Sequence, residues 1–322
     1  SSGVTLQDCI ISGVEFPENP VGLFAGDSES LVVFEPLFEP VVSDLHAFGL
    51  DTNSHPQSEL DAGDIPDLPE DGVISAKCKF TRNIAGLSLT PQMTVDQRRD
   101  VELTIAGVFA AFEGTDFAAT RYSLSDCFGR PEVRSRCTDV STTALPVNND
   151  PFKDSAGIYD AWPEERAVFI GDDDSFVAVV NGEEHLVLST SHDQSLIEAF
   201  NSGADLLDNI ANSKPASPDA VAISYEYNSK FGYVTADPAL LGTAMEVEVV
   251  VKAPGGLGSA LKAGRLATAC SSSSLDSVDI IPSLDGTMCT IKSVRTVGVT
   301  VLETLEAVTE TTLALLEAVK DA

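Results

Sequence analysis

The chain has 322 residues, 43% of them hydrophobic, and carries 19 Lys and Arg against 50 Asp and Glu, a formal net charge of −31. That length supplies one large or two modest domains with ample material for a core. The charge excludes nucleic acid as a partner, since such binding rests on Lys and Arg neutralising phosphates, and it disfavours an anionic membrane surface. It fits a solvated acidic exterior able to attract divalent cations.

Residues 1–50 read as short helices with apolar spacing, a small all-helical N-terminal domain. Residues 51–71 are rich in Pro and Asp with little periodicity, which suits a linker. A larger domain spans 72–322. It opens on Val73–Phe80, an alternating strand, and Thr94 with Gln97 forms a capping box before a helix whose Val101, Ile105, Val108 and Phe112 share a face. Ser125–Ala161 reads as a long irregular stretch. Ala167–Ile170, Ser175–Val180 and His185–Ser189 are three apolar runs divided by Asp172–Asp174 and by Asn181-Gly182, the latter a two-residue hairpin signal with positive φ at both positions.

Ser195–Ile210 is expected to be helical, and Phe231–Ala236 and Met245–Ala253 to be strands. Ser271–Ser274 is a low-complexity loop. Thr300 and Glu303 cap a C-terminal helix with Leu302, Leu305, Val308, Thr312, Leu316 and Val319 along one stripe. The expected class is α+β, an antiparallel sheet flanked by helices beside a helical domain. No apolar run of about 18 residues argues for a membrane span. The six cysteines, Cys9, Cys78, Cys127, Cys137, Cys270 and Cys289, have no C-x-x-C spacing; Cys127 and Cys137 lie in a polar stretch as a candidate pair. The start at Ser1 reads as a processed or trimmed terminus. It is compatible with a secretory organelle or extracellular structure, with a cytoplasmic or ciliary place as the alternative.

Several segments, in order, carry a resemblance. They are Ser2–Glu15, Val21-Gly-Leu-Phe-Ala-Gly-Asp-Ser-Glu29, Pro36–His46, His55-Pro56, Trp162-Pro-Glu-Glu-Arg166, Asn181-Gly-Glu-Glu-His-Leu186 and Phe231–Pro254. Together the chain resembles the phosphagen (guanidino) kinases, the arginine and creatine kinase family. The resemblance implies a helical cap on an antiparallel sheet. It also implies a site that neutralises ATP phosphates with cations, orients a guanidinium with carboxylates and excludes water.

Carried over residue by residue, the resemblance places Lys77 and Lys79 where the family has two phosphate-binding arginines, and Arg166 at a third. Glu246 and Met288 replace two more. On the acceptor side it places Glu183 at the guanidinium-orienting carboxylate, Gly22 and Phe24 in the specificity loop, and Asp237 where the family has a Cys. The mobile loop reads as deleted between Met288 and Lys292. At about 5 Å and an effective dielectric of about 20, one charge pair is worth roughly 3 kcal/mol, so reversing the sign at Glu246 costs about twice that.

On that arithmetic the expectation is a kinase fold without kinase activity, with remnant site residues and no cofactor. Its expected role is structural, in a filament, organelle or cytoskeletal assembly, with protein partners or self-association and divalent cations at the surface. The alternatives are a divergent ATP:guanidino phosphotransferase using ATP and Mg²⁺, and a module that binds a small guanidine or cation.

Overall fold

The computed structural model describes residues 3–69, 71–140, 148–213, 223–252 and 275–320. Its centre is an antiparallel sheet of strands β1 (Val73–Arg82), β2 (Ala119–Ser123), β3 (Ala167–Gly171), β4 (Phe176–Val180), β5 (Leu186–His192), β8 (Met245–Lys252), β9 (Val278–Pro282) and β10 (Met288–Ser293). They run in the order β2-β3-β4-β5-β1-β8-β10-β9. A two-stranded ribbon, β6 (Tyr227–Asn228) and β7 (Gly232–Tyr233), stands apart.

Period-two alternation decides what each strand face touches. On β3, Ala167 and Phe169 enter the main core while Val168 and Ile170 enter a second apolar cluster on the opposite face. Burial on both faces is why β3 and β4 read as unbroken apolar runs. On β8, Met245, Val247, Val249 and Val251 point into the core, which leaves Glu246 and Glu248 on the other side. Ala76, Cys78 and Phe80 of β1 do the same, leaving Lys77 and Lys79 beside those glutamates.

Helix α4 (Val95–Ala111) begins at the expected capping box: the Thr94 N–H donates to Gln97 Oε1 at 2.9 Å and the Gln97 N–H to Thr94 Oγ1 at 3.2 Å. Helix α8 (Leu196–Asn212) covers β1 and β5, and α9 (Val301–Lys320) covers β8 and β10. Thr300 and Glu303 cap α9 reciprocally as expected. Its stripe departs at one point, because Leu302 is exposed while Leu305, Val308 and Leu316 are buried. The first 50 residues form α1 (Leu6–Glu15), α2 (Ser28–Val33) and α3 (Glu35–His46). They dock through Phe38, Val42 and Leu23 on Phe231, Val234 and Val297, and Lys230 clamps Glu35 and Glu39 of α3.

Four local expectations need correction. Ser125–Ala161 is not irregular in its described part: it holds most of α5 (Leu124–Gly129), α6 (Pro131–Val140) and α7 (Pro151–Ser155). Ser123 caps α5 through Asp126, and Asp150 caps α7. Cys127 and Cys137 therefore lie on consecutive helices, both buried and both free thiols, facing one another within the second apolar cluster. Asn181-Gly182 is no two-residue hairpin, since β4 and β5 are joined by residues 181–185. There Asn181 has φ 54° and buries an amide that donates to Arg98 O at 2.7 Å and Glu165 O at 2.8 Å. Phe231–Ala236 is strand only at Gly232–Tyr233, because the Ala236 N–H turns inward to Glu184. Cys270 and the Ser271–Ser274 loop lie outside the described residues.

Candidate functional site

On the sheet face away from the core, cross-strand register makes a patch of alternating charge. Lys79 pairs in register with Glu246 and Lys77 with Glu248, while Lys292 of β10 stands opposite Glu248. Glu246 forms ion pairs with Lys79 and, at 3.0 Å, with Lys292; its side chain is only 15% exposed. Burial pushes this carboxyl up, yet the two lysines outweigh it and hold it below the usual range. Glu248 goes the other way: burial raises it and Lys77 and Lys292 only partly offset that. On β9, Asp279 stands opposite Lys292, so three lysines meet three carboxylates and the patch is formally neutral.

Met288 is not part of this patch. It pairs with Lys252 at the far end of β10 and is 39% exposed. The stretch from Met288 to Lys292 is uninterrupted strand, so alternation puts Met288, Thr290 and Lys292 on one face and Lys292 beside Glu246. That two-residue period was the available signal for Lys292, and the motif correspondence passed over it.

Arg166 is 2% exposed, and its guanidinium is spent on its own loop. It donates to Glu164 O, Ile158 O and Asp160 O at 3.0–3.1 Å and lies 4.8 Å from the Trp162 ring centre. Burial first, then the nearby Arg98, lowers it to about 10. Arg98, wholly buried, donates to Thr90 O at 2.7 Å and Gly157 O at 3.3 Å. These two arginines brace the loops around Glu183.

Glu183 sits in the β4–β5 connection. Its Oε1 receives Lys153 Nζ at 2.7 Å and the Tyr159 hydroxyl at 3.4 Å, and its carbonyl accepts the Thr90 hydroxyl. Its neighbour Glu184 points the other way into the protein. There it accepts from Asn83 Nδ2 at 2.6 Å and from the backbone N–H groups of Ala236 and Asp237, and burial pushes it up to about 8. So Glu184 pins the Asp237 segment to the Glu183 turn. Asp237 caps a short 3₁₀ turn, and burial raises its carboxyl while Lys153 draws it back.

Phe24 is 2% exposed, with its ring centre 5.1 Å from that of Phe152. Gly22 has φ +70°, which favours glycine, and the Gly22 carbonyl packs so closely on Gly13 that a Cβ there would lie 2.1 Å from it. The fold thus sets Glu183 and Asp237 near Lys153, which no motif singles out, with Phe24 packed on the adjacent Phe152. Among the described residues no group of three His, Cys, Asp or Glu side chains is placed to hold a metal, and no helix is long and apolar enough to cross a membrane.

Comparison with known proteins follows the same lines. Residues 105–322 match the model of the ATP:guanido phosphotransferase C-terminal catalytic domain, and residues 1–43 that of its N-terminal domain. An arginine kinase of Anthopleura japonica is 30% identical over 258 residues, 79% of this chain and 34% of that protein. The arginine kinase of Limulus polyphemus is 29% identical over 256 residues, 78% of this chain and 68% of that protein. A lombricine kinase structure superposes with a TM-score of 0.82 at 23% identity, covering 99% of this chain and 86% of that one. The duplicated taurocyamine kinase of Schistosoma mansoni gives 0.81 at 21% identity, over 99% of this chain and 43% of that one. The chain thus spans about a third of the first of these relatives.

The expectation of a chain that is no enzyme is corrected here. The relatives that match over most of its length carry the names of kinases. The electrostatic argument behind that expectation also fails on geometry, since it treated Glu246 as a bare negative charge facing phosphate. Two lysines pair with it, one of them unforeseen, and the surrounding patch is formally neutral.

Proposed function

Because the chain belongs to the ATP:guanido phosphotransferase family, we propose that it is a divergent phosphotransferase moving a phosphoryl group between a nucleoside triphosphate and a guanidino compound. Phosphoryl transfer is mostly positioning and charge stabilisation. In this reading Lys77, Lys79 and Lys292 face the phosphates as point charges where arginine forks would otherwise serve. Glu183 orients the acceptor guanidinium. Arg98, Arg166 and Glu184 hold the surrounding loops.

The single observation that carries the reading is the contact of Glu183 with Lys153 at 2.7 Å. It is a carboxylate already gripping an organic cation, between the Phe24 loop and Asp237. The nucleotide's Mg²⁺ would be held by its own phosphates with one or two carboxylates, for which Glu248 is a nearby hard donor, and it would neutralise developing charge.

The test is a coupled assay of ATP·Mg²⁺ with arginine, lombricine, taurocyamine and creatine, run on the wild type and Glu183→Gln. Turnover with one acceptor, lost at least a hundredfold in the variant, supports the reading. Saturable acceptor binding with no turnover would reduce the protein to a cation-binding module, and equal turnover by Glu183→Gln would remove Glu183 from the chemistry.

A further inference from the structure

The segment from Asp150 to Trp162 packs against Phe24 and reaches Glu183. Phe152 lies against Phe24 with ring centres 5.1 Å apart, and these two rings share a buried cluster with Ala156, Ile158 and Tyr159. One residue on, Lys153 extends to Glu183, and among the described contacts both Lys153 and the Tyr159 hydroxyl engage the same oxygen, Oε1. A local cap orders α7, and a contact from α4 holds the later part of the segment. Asp150 caps α7 through the Phe152 N–H at 3.0 Å, and Arg98 holds Gly157 O at 3.3 Å. Gly157, at φ +84°, lies so close to Pro91 that a Cβ would stand 2.6 Å from its carbonyl oxygen.

We infer that α7 is an internal plug: Lys153 occupies the acceptor's cation site as an autoinhibitory contact, and a guanidino compound must displace it to bind. The inference rests on the phosphotransfer reading in that it takes Glu183 as the acceptor's carboxylate.

Chemistry favours the exchange. A lysine ammonium is a compact, strongly hydrated point charge, whereas a guanidinium presents a planar fork to both carboxylate oxygens at once. Lys153 is 25% exposed and Glu183 35%, so water reaches the pair and no buried charge is stranded when it opens. Lys153 then moves into solvent. The short helix is hinged on Phe152, whose apolar contact with Phe24 sets how readily it leaves. Asp154 and Asp150 line the same segment, and Asp237 lies behind Lys153. A cationic acceptor therefore gains more from opening than a neutral one.

The experiment titrates the full chain calorimetrically with arginine, creatine and guanidinium chloride at millimolar concentration. The wild type, Lys153→Ala, Lys153→Arg and the double variant Lys153→Ala with Glu183→Gln are compared. Lys153→Ala should bind at least one of the three at least tenfold tighter than the wild type. Lys153→Arg should remain blocked, and the double variant should lose the gain. Thermal melting of each variant establishes that it is folded, and the partial exposure of Lys153 makes its truncation tolerable.

Equal affinity of the wild type and Lys153→Ala, or no binding by either, overturns the plug. Turnover is read separately. Tighter binding by Lys153→Ala without phosphoryl transfer keeps the plug and sinks the phosphotransfer reading. Turnover with a KM unchanged by Lys153→Ala does the reverse.

Discussion

Lys79 and Glu246 face each other as register partners on β1 and β8, and their ion pair is completed from the next strand by Lys292 at 3.0 Å. The pair is largely shielded from water, so each partner depends on the other. A lysine left alone in such a place costs several kcal/mol.

Substituting Glu246→Gln should therefore act in two directions. Without nucleotide the variant should lose roughly 3 kcal/mol of stability, because Lys79 loses its counter-charge. With ATP·Mg²⁺ it should recover, because two freed lysines meet the phosphates; at an effective dielectric of about 20, removing one like-charge contact at about 5 Å is worth roughly 3 kcal/mol, on the order of a hundredfold in affinity. Melting curves with and without ATP·Mg²⁺, together with calorimetric titration, read both effects. A variant whose affinity does not rise would show that Glu246 does not compete for the phosphate site.

Lys292→Met probes the same cluster from the other side. Glu246 keeps Lys79, so stability should fall by only about 1 kcal/mol. The patch then goes from neutral to a formal charge of −1, and nucleotide affinity should fall about tenfold with a shallower salt dependence. Titrations at two ionic strengths measure this.

His185 supplies a pH prediction. It is wholly buried and neutral: Nδ1 accepts from the Ile84 N–H at 3.0 Å while Nε2 meets Ser88 O at 2.8 Å, and burial drops its pKa to about 4. The unfolded chain titrates at the ordinary 6.5. Above that value neither state is protonated and the group contributes nothing. As pH falls from 6.5 to 4 the unfolded state takes up a proton that the folded state refuses, so stability is lost, by about 3 kcal/mol in full. His55, also buried and depressed to about 4, adds in the same direction. Denaturant melts from pH 8 to 4 should slope accordingly, and His185→Gln should be flatter by about one proton.

Gly203 tests the seat of α8 on the sheet. A Cβ there would lie 2.2 Å from the Phe80 ring, which is fully buried and leans on Phe200 at 5.9 Å. Gly203→Ala should raise helix propensity yet destabilise by about 1–3 kcal/mol through overpacking. Pairing it with Phe80→Leu should restore part of the loss. An unchanged melting temperature for Gly203→Ala alone would contradict that packing.

The sequence alone determined what rests on local rules and on pattern. The capping boxes at Thr94 and Thr300, the alternation of β1 and β8 and the apolar runs of β3 and β4 depend on neighbours within a few residues, so they could be read directly. The family could be read too, because its motifs are local strings. The site's electrostatic state could not. Lys153 meets Glu183 from 30 residues away, Lys292 meets Glu246 from 46, and Glu184 draws in the Asp237 backbone from 53. Such pairings follow from strand order and loop closure; strand alternation could put Lys292 on a face, but local sequence could not name its partner. Glu246, read alone, was a charge of the wrong sign. Only the tertiary structure set two lysines beside it, and a charge's effect depends on what stands within a few ångströms.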